Sequence, residues 1–177
     1  MSAHGLEIGL LLLRLVTGLL WCGHAAQKLF GWFGAKQRGT LEDEFTHFGY
    51  HPPLLFGYLA GVTEMLGGLL LATGFATPIG AGLLAIVAVQ ATAAVKWPNG
   101  LWTQDDGYEY LLVLGALGVS FAFIGGGQLS LDSAFGISFA GVGAGIVVAV
   151  AALATPLAPR TLGPALAGPA ATTAAED

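Results

Sequence analysis

Charge is scarce in this chain. Of 177 residues only 10% are Asp, Glu, Lys or Arg while 55% are hydrophobic, and the mean hydropathy of +0.74 lies far above that of a soluble domain, so the sequence belongs in a bilayer. Positive charge is scarcest: six Lys and Arg stand against eleven Asp and Glu, for a formal net charge of -5. No basic run occurs, which excludes nucleic acid as a partner. Cysteine is nearly absent too. The lone Cys22 excludes an intramolecular disulfide and a Cys-x-x-Cys shuttle within the chain. Neither Lys nor Arg precedes Arg14, so no secretory leader with a basic start is expected, and the segment from residue 6 onward reads as a retained helix.

What is present is a series of long apolar runs. Crossing about 30 Å of hydrocarbon takes roughly 20 residues of helix, because a backbone amide left unpaired in lipid costs several kcal/mol. The runs predict an all-α polytopic membrane bundle with five spans, at about 6–33, 54–74, 78–97, 108–124 and 135–157. The short "GFATP" connection makes the second and third spans antiparallel neighbours, and "GGGQLSLD" turns the chain tightly before the fifth. At the third span Thr77 is expected to cap and Pro78 to sit in the first turn. Between the first two spans, Thr40 and Asp43 have the spacing of a capping box, and Leu41, Phe45 and Phe48 share a face, predicting an interfacial helix at about 40–48. The Ala-, Pro- and Gly-rich stretch 159–177 reads as a disordered tail.

Lys36, Arg38, Lys96 and Arg160 fall on one side of a five-span arrangement, with Lys28 near the same end. The positive-inside rule then puts the N-terminus outside and the C-terminus in the cytoplasm of a multi-pass cell-membrane protein.

Two polar layers interrupt the apolar spans. Counted from the helix ends, Arg14 and Glu64 lie at similar depth, roughly 13 Å from one face at 1.5 Å per residue. A charge near the bilayer centre costs on the order of 3 kcal/mol, so each needs a partner inside the bundle. Arg14, Gly18, Trp21, Ala25 and Lys28 share one stripe, and Gly57, Gly61, Glu64 and Gly68 another. An Arg14–Glu64 ion pair is therefore expected, read either as a structural pair or as part of a catalytic site. The second layer gathers His24, Gln27 and Lys28 with Gln90, Lys96 and Trp97, and with Tyr108, Glu109 and Tyr110. His24, Lys28, Gln90, Trp97 and Glu109 are the candidate ligand-binding residues. Taken singly, Lys28 and Lys96 can also snorkel, and Trp32, Trp97 and Trp102 can serve as interfacial anchors. An imidazole at His24 can carry a proton or meet a quinone oxygen. The other histidines, His4, His47 and His51, sit at the terminus or in the first loop, which argues against haem or a dinuclear metal site. Cys22, in an apolar stretch, reads as packing.

Three pieces carry a resemblance: "LLLRLVTGLLWCGHAAQKLFGWFG" at 11–34, "GVTEMLGGLLLATG" at 61–74 and "GGGQLSLD" at 125–132. In order and spacing they resemble the DoxX family of small membrane proteins, with Gly126 where that family's turn usually has Pro. The resemblance implies a four-helix core, to which the fifth apolar segment is an addition. It also implies redox metabolism: family members are associated with quinol oxidase or thiosulfate:quinone oxidoreductase subunits, and a mycobacterial relative with a complex of superoxide dismutase and a sulfurtransferase. By matching motif it points to Arg14, His24, Lys28, Glu64, Ser130 and Asp132. Asp132 and Ser130 have a plainer reading as caps of the following helix.

The leading expectation is a redox component binding a quinone or similar small molecule in the bundle, with no intrinsic electron-carrying cofactor. If enzymatic, it is a quinone-linked oxidoreductase or a subunit of one. The rival is a noncatalytic anchor recruiting soluble redox enzymes through "LEDEF" and "TQDDGYEY". A small-solute carrier ranks last, because no inverted repeat is visible. Self-association into a homo-oligomer stays open at this point.

Overall fold

The computed structural model describes residues 3–34, 39–137 and 139–157. Lys36, Arg38, Arg160 and the segment 159–177 lie outside the described residues. Seven α-helices are described: α1 (Ala3–Phe30), α2 (Leu41–His47), α3 (Pro53–Thr73), α4 (Thr77–Ala91), α5 (Glu109–Ile124), α6 (Leu131–Ala134) and α7 (Val142–Ala154). A π-turn at Thr92–Lys96 and a 3-10 turn at Trp97–Asn99 prolong α4. Three helical stretches are long and apolar enough to cross a membrane: His4–Phe30, Pro53–Thr73 and Thr77–Asn99. Glu109–Ile124 and Val142–Leu157 are apolar and shorter. The protein is an all-α, polytopic membrane helix bundle.

α1 packs most extensively on α3, α4 packs on α3 and α5, and α7 lies against α4 and α5. Glycine sets how closely α1 and α3 approach. A Cβ on Gly18 would stand 2.6 Å from the Gly68 carbonyl oxygen and 2.7 Å from the Ala72 nitrogen, so only a bare backbone fits at this crossing. The core centres on Trp21 of α1, with Leu71, Ala81, Leu84, Ala88, Leu114 and Phe121 from the three neighbouring spans. Leu and Val along the outer faces, such as Leu12, Val16, Leu19, Leu59, Val62 and Val147, are half or more exposed, as a lipid-facing surface requires.

The ends depart from expectation in two places. The last helix begins at Val142, later than the apolar run suggests, because Gly136 and Gly141 both adopt positive φ between the end of α6 at Ala134 and the start of α7. Thr77 does not cap α4. The cap position is Ala76, in a left-handed conformation, and the capping oxygens come from Asp132: its carboxylate accepts from Ala76 N at 2.6 Å, Thr77 N at 2.8 Å and Thr77 Oγ1 at 2.6 Å. Asp132 therefore caps α4 across space, while Ser130 is the one that caps α6, accepting from Ser133 N at 3.2 Å.

α2 is short and held by its ends. Thr40 and Asp43 form the reciprocal capping box, and Leu41 packs where a Cβ on Gly57 would otherwise sit. Phe45 is buried beneath Phe48 and Tyr50.

Candidate functional site

The expected Arg14–Glu64 ion pair is absent. Arg14 Nε donates to the Ala72 carbonyl at 3.1 Å, and its two terminal nitrogens donate to the carbonyls of Gly126 and Leu129. Asp132 lies close enough for its charge to act on the guanidinium. Glu64 instead takes Lys28, whose ammonium donates to Oε1 at 2.7 Å and Oε2 at 2.8 Å.

The reason is register. Gly18 lies against Gly68 and Ala72, and Lys28 Cβ is 3.2 Å from where a Gly61 Cβ would be, so Glu64 is level with the His24 turn of α1. Arg14 is about ten residues away, roughly 15 Å along the axis. Counting depth from helix ends assumes that the ends are flush. They are not: the first turns of α1 overhang the end of α3, and Glu7 there accepts from the Gln128 backbone N–H of the 125–130 turn.

The two clusters differ in build. Arg14, 2% exposed, joins α1 to the last turn of α3 and to the 125–130 turn through backbone carbonyls alone. A guanidinium can do this because its donors fan out in a plane, each meeting a carbonyl that lipid would otherwise leave unpaired. Gly74 leaves the room: a Cβ there would stand 2.6 Å from an Arg14 terminal nitrogen. Glu64 is equally buried at 2%, yet its partner Lys28 keeps 21% of its side chain exposed. Glu44 of α2 is half-buried, and its charge reaches Glu64.

Beside the Lys28–Glu64 pair stands His24, one helical turn from Lys28 on the same side of α1. Its Nε2 is 3.3 Å from the Tyr110 hydroxyl of α5, and its ring meets Trp21 edge-on at a centroid distance of 6.0 Å. His24 is half-buried and Tyr110 is 40% exposed. Trp21 is 2% exposed, and its Nε1 has no hydrogen-bond partner among the described residues. Four side chains from three helices thus form one polar layer: His24, Lys28, Glu64 and Tyr110.

The remaining candidates stand apart from it. Trp97 stacks on Tyr108 at 5.4 Å and 11°. Both line an apolar cavity of about 390 Å³ between α4, α5 and α7, walled by residues such as Ala88, Leu111, Gly115 and Ala152. Glu109 accepts from Thr103 N at 3.1 Å and Thr103 Oγ1 at 2.9 Å, which commits it to the loop. Gln90 is half-buried on the last turn of α4 and makes no hydrogen bond among the described residues. Lys96 pairs with Asp106. Cys22 Sγ is 4.0 Å from the Met65 carbonyl, and a Cβ on Gly68 would meet it at 2.8 Å, so it packs the α1–α3 seam. Among the described residues no group of three His, Cys, Asp or Glu is placed to hold a metal ion.

Sequence reasoning named both members of the Lys28–Glu64 pair and put Lys28 on the stripe facing α3, but joined Glu64 to the wrong base. It named Tyr110 in the layer without giving it a ligand role. The unpaired indole of Trp21 went unnoticed, since a Trp in an apolar stripe reads as core.

A "Putative oxidoreductase CatD" from Bacillus subtilis (strain 168) is 32% identical to this chain over 126 residues, covering 71% of the chain and 86% of that protein. No solved structure matches. The model of the DoxX family matches residues 9–97, which span α1 to the end of α4 and include Arg14, His24, Lys28 and Glu64; the chain belongs to the DoxX family.

Proposed function

We propose that this DoxX protein is a membrane component of redox metabolism that binds a quinone or similar small redox molecule at the layer formed by His24, Lys28, Glu64 and Tyr110. The observation carrying this reading is the Lys28–Glu64 contact: a deeply buried carboxylate whose single ionic partner among the described residues is a partly exposed lysine. Intramembrane ionisable groups mark ligand and proton pathways by default. The oxidoreductase description of the Bacillus subtilis relative agrees with it.

The donor set suits a quinone head. Lys28 and the His24–Tyr110 pair offer hydrogen-bond donors within an otherwise apolar wall. A quinone, when bound, supplies the electron-accepting chemistry, and its electrons come from a partner subunit or a second bound substrate. The chain's own residues bind and orient the ring and hold protons. Lys28 and Glu64 exchange a proton across a contact of hydrogen-bond length, and His24 is suited to proton transfer near neutral pH. Arg14 takes no part in that chemistry under this reading. Its partners are backbone carbonyls, so it shapes the bundle that holds the site.

Around the site we propose a four-helix core from α1, α3, α4 and α5, with α7 as a fifth span, the N-terminus outside and the C-terminus in the cytoplasm. Trp97, Gln90 and Glu109 stay outside the polar layer. The rival reading, an anchor for soluble redox enzymes, draws on the polar surfaces of α2 and the 103–109 loop.

The test is quinone binding and membrane redox activity with Glu64→Gln and His24→Leu. Both should lose binding at least tenfold while remaining in the membrane. A purified wild-type protein that binds no quinone, together with soluble partners retained by Glu64→Gln in a cross-linked pull-down, overturns this reading in favour of the anchor.

A further inference from the structure

Trp21 is the exception among the four tryptophans. Trp32, Trp97 and Trp102 are 58%, 65% and 59% exposed, where an indole N–H can meet water or headgroups. Trp21 is 2% exposed at the centre of the bundle, and its Nε1 is the single buried side-chain nitrogen or oxygen without a hydrogen-bond partner among the described residues. A buried donor without an acceptor is destabilising. The cluster around it, Leu71, Leu84, Leu114 and Phe121, would accept an apolar ring of similar size. What an indole brings to this place that an apolar ring of its own size does not is the N–H.

The neighbours say what could meet it. The His24 ring touches Trp21 edge-on, and His24 reaches Tyr110 through a contact that is long for a hydrogen bond, at 3.3 Å. Those two side chains are half-buried or more exposed, whereas the rest of the wall around Trp21 is apolar core. Trp21, His24 and Lys28 follow one another along one side of α1, so a molecule admitted between α1 and α5 at His24 arrives beside the indole. An indole N–H only donates, so it selects an acceptor oxygen; the apolar surroundings select a flat, uncharged ring to carry that oxygen.

We infer that the Trp21 indole N–H is a ligand contact: it donates a hydrogen bond to a carbonyl oxygen of an aromatic redox ligand, which reaches it when the His24 and Tyr110 side chains part. This rests on the quinone reading above and adds a specificity-determining residue to it.

Menadione and the full chain in detergent micelles test it, with the tryptophans labelled with ¹⁵N. The indole resonance of Trp21 is the one missing from Trp21→Phe. Menadione should shift it downfield and leave those of Trp97 and Trp102 in place. Trp21→Phe should bind menadione at least about tenfold more weakly, through loss of one hydrogen bond and of part of the indole's packing. Replacing Trp21 with benzothienylalanine, which keeps the shape and lacks only the N–H, should give the hydrogen-bond share of that loss, about tenfold, and covers a Phe variant that fails to fold. Equal menadione affinity in the wild type and the benzothienylalanine variant, or an unmoved Trp21 resonance in a protein that binds menadione, overturns the Trp21 assignment and leaves the quinone site standing. A wild type that binds no quinone overturns both.

Discussion

At one end of the α1–α3 seam a guanidinium 2% exposed is met by three backbone carbonyls, one from the last turn of α3 and two from the 125–130 turn; at the other, a carboxylate just as buried is met by one lysine. Both ends place a charge where lipid or apolar side chains surround it. They differ in what would have to move for the charge to change state. Arg14 is tied to main chain that is itself fixed by α3, α4 and the 125–130 turn, and the nearby carboxylate of Asp132 is occupied in capping α4. Glu64 is tied to a flexible side chain that can swing toward the interface. A buried charge satisfied by many fixed dipoles staples a fold, whereas one satisfied by a single mobile counter-charge is poised for exchange.

The strongest way to break this comparison is at Arg14. Arg14→Met leaves the carbonyls of Ala72, Gly126 and Leu129 without their side-chain donor. Removing one partner from a buried charged network costs about 3–5 kcal/mol. The variant should be poorly recovered from membranes, with a sharply lowered melting temperature in detergent. Arg14→Lys should recover only part of the loss, because an ammonium cannot span three diverging carbonyls. Were Arg14→Met as stable as the wild type but inactive, the staple and the site would have to exchange roles.

The pair at the other end should behave differently. Glu64→Gln removes the charge that Lys28 answers, but Lys28 is 21% exposed and can turn toward water or headgroups. That discount brings the expected cost to about 1–2 kcal/mol. Lys28→Met combined with Glu64→Met should regain most of this stability and none of the quinone binding. Thermal unfolding and ligand titration of the two single variants and the double variant would measure the coupling directly. A double variant that binds quinone like the wild type would make the pair structural, a second staple.

The contrast between the two ends was only half legible in the sequence. The spans are visible because each carries an apolar run near the length of the hydrocarbon core, and the capping box of α2 because its spacing is local. The partners of Arg14 and Glu64 depend on how far α1 slides past α3. That is set by where Gly18, Gly61 and Gly68 let the backbones touch, and by an overhang of α1 that no local pattern records. The facing stripes were readable, but their relative shift was not. Asp132 shows the same limit: a carboxylate beside a helix start reads as its cap, whereas here it reaches a different helix across the 125–132 turn. Carbonyl partners are equally invisible, since every residue has one.

The smallest effect sharpens the comparison from outside the membrane. Asp43 on α2 is a charge in water with strictly local partners: its carboxylate accepts from the Thr40 hydroxyl at 2.6 Å and the Thr40 backbone N–H at 3.2 Å. The Thr40 hydroxyl, and after it the backbone N–H, hold the Asp43 carboxyl below its ordinary range. A group whose pKa is depressed on folding contributes stability above its unfolded pKa, and that contribution fades as pH falls through the folded value. Acidification should therefore loosen α2 first. Protection factors at Asp43 and Glu44, normalised to the intrinsic exchange rate at each pH, should fall on acidification, while the amides around Arg14 on α1, enclosed by the bundle, keep their protection. Asp43→Ala should already exchange quickly at neutral pH and lose the acid-dependent step. If the amides of α2 and those around Arg14 lost protection together over the same pH range, α2 would be as firmly built in as the staple, and a single cooperative unit would have to replace the division drawn between fixed and exchangeable charges.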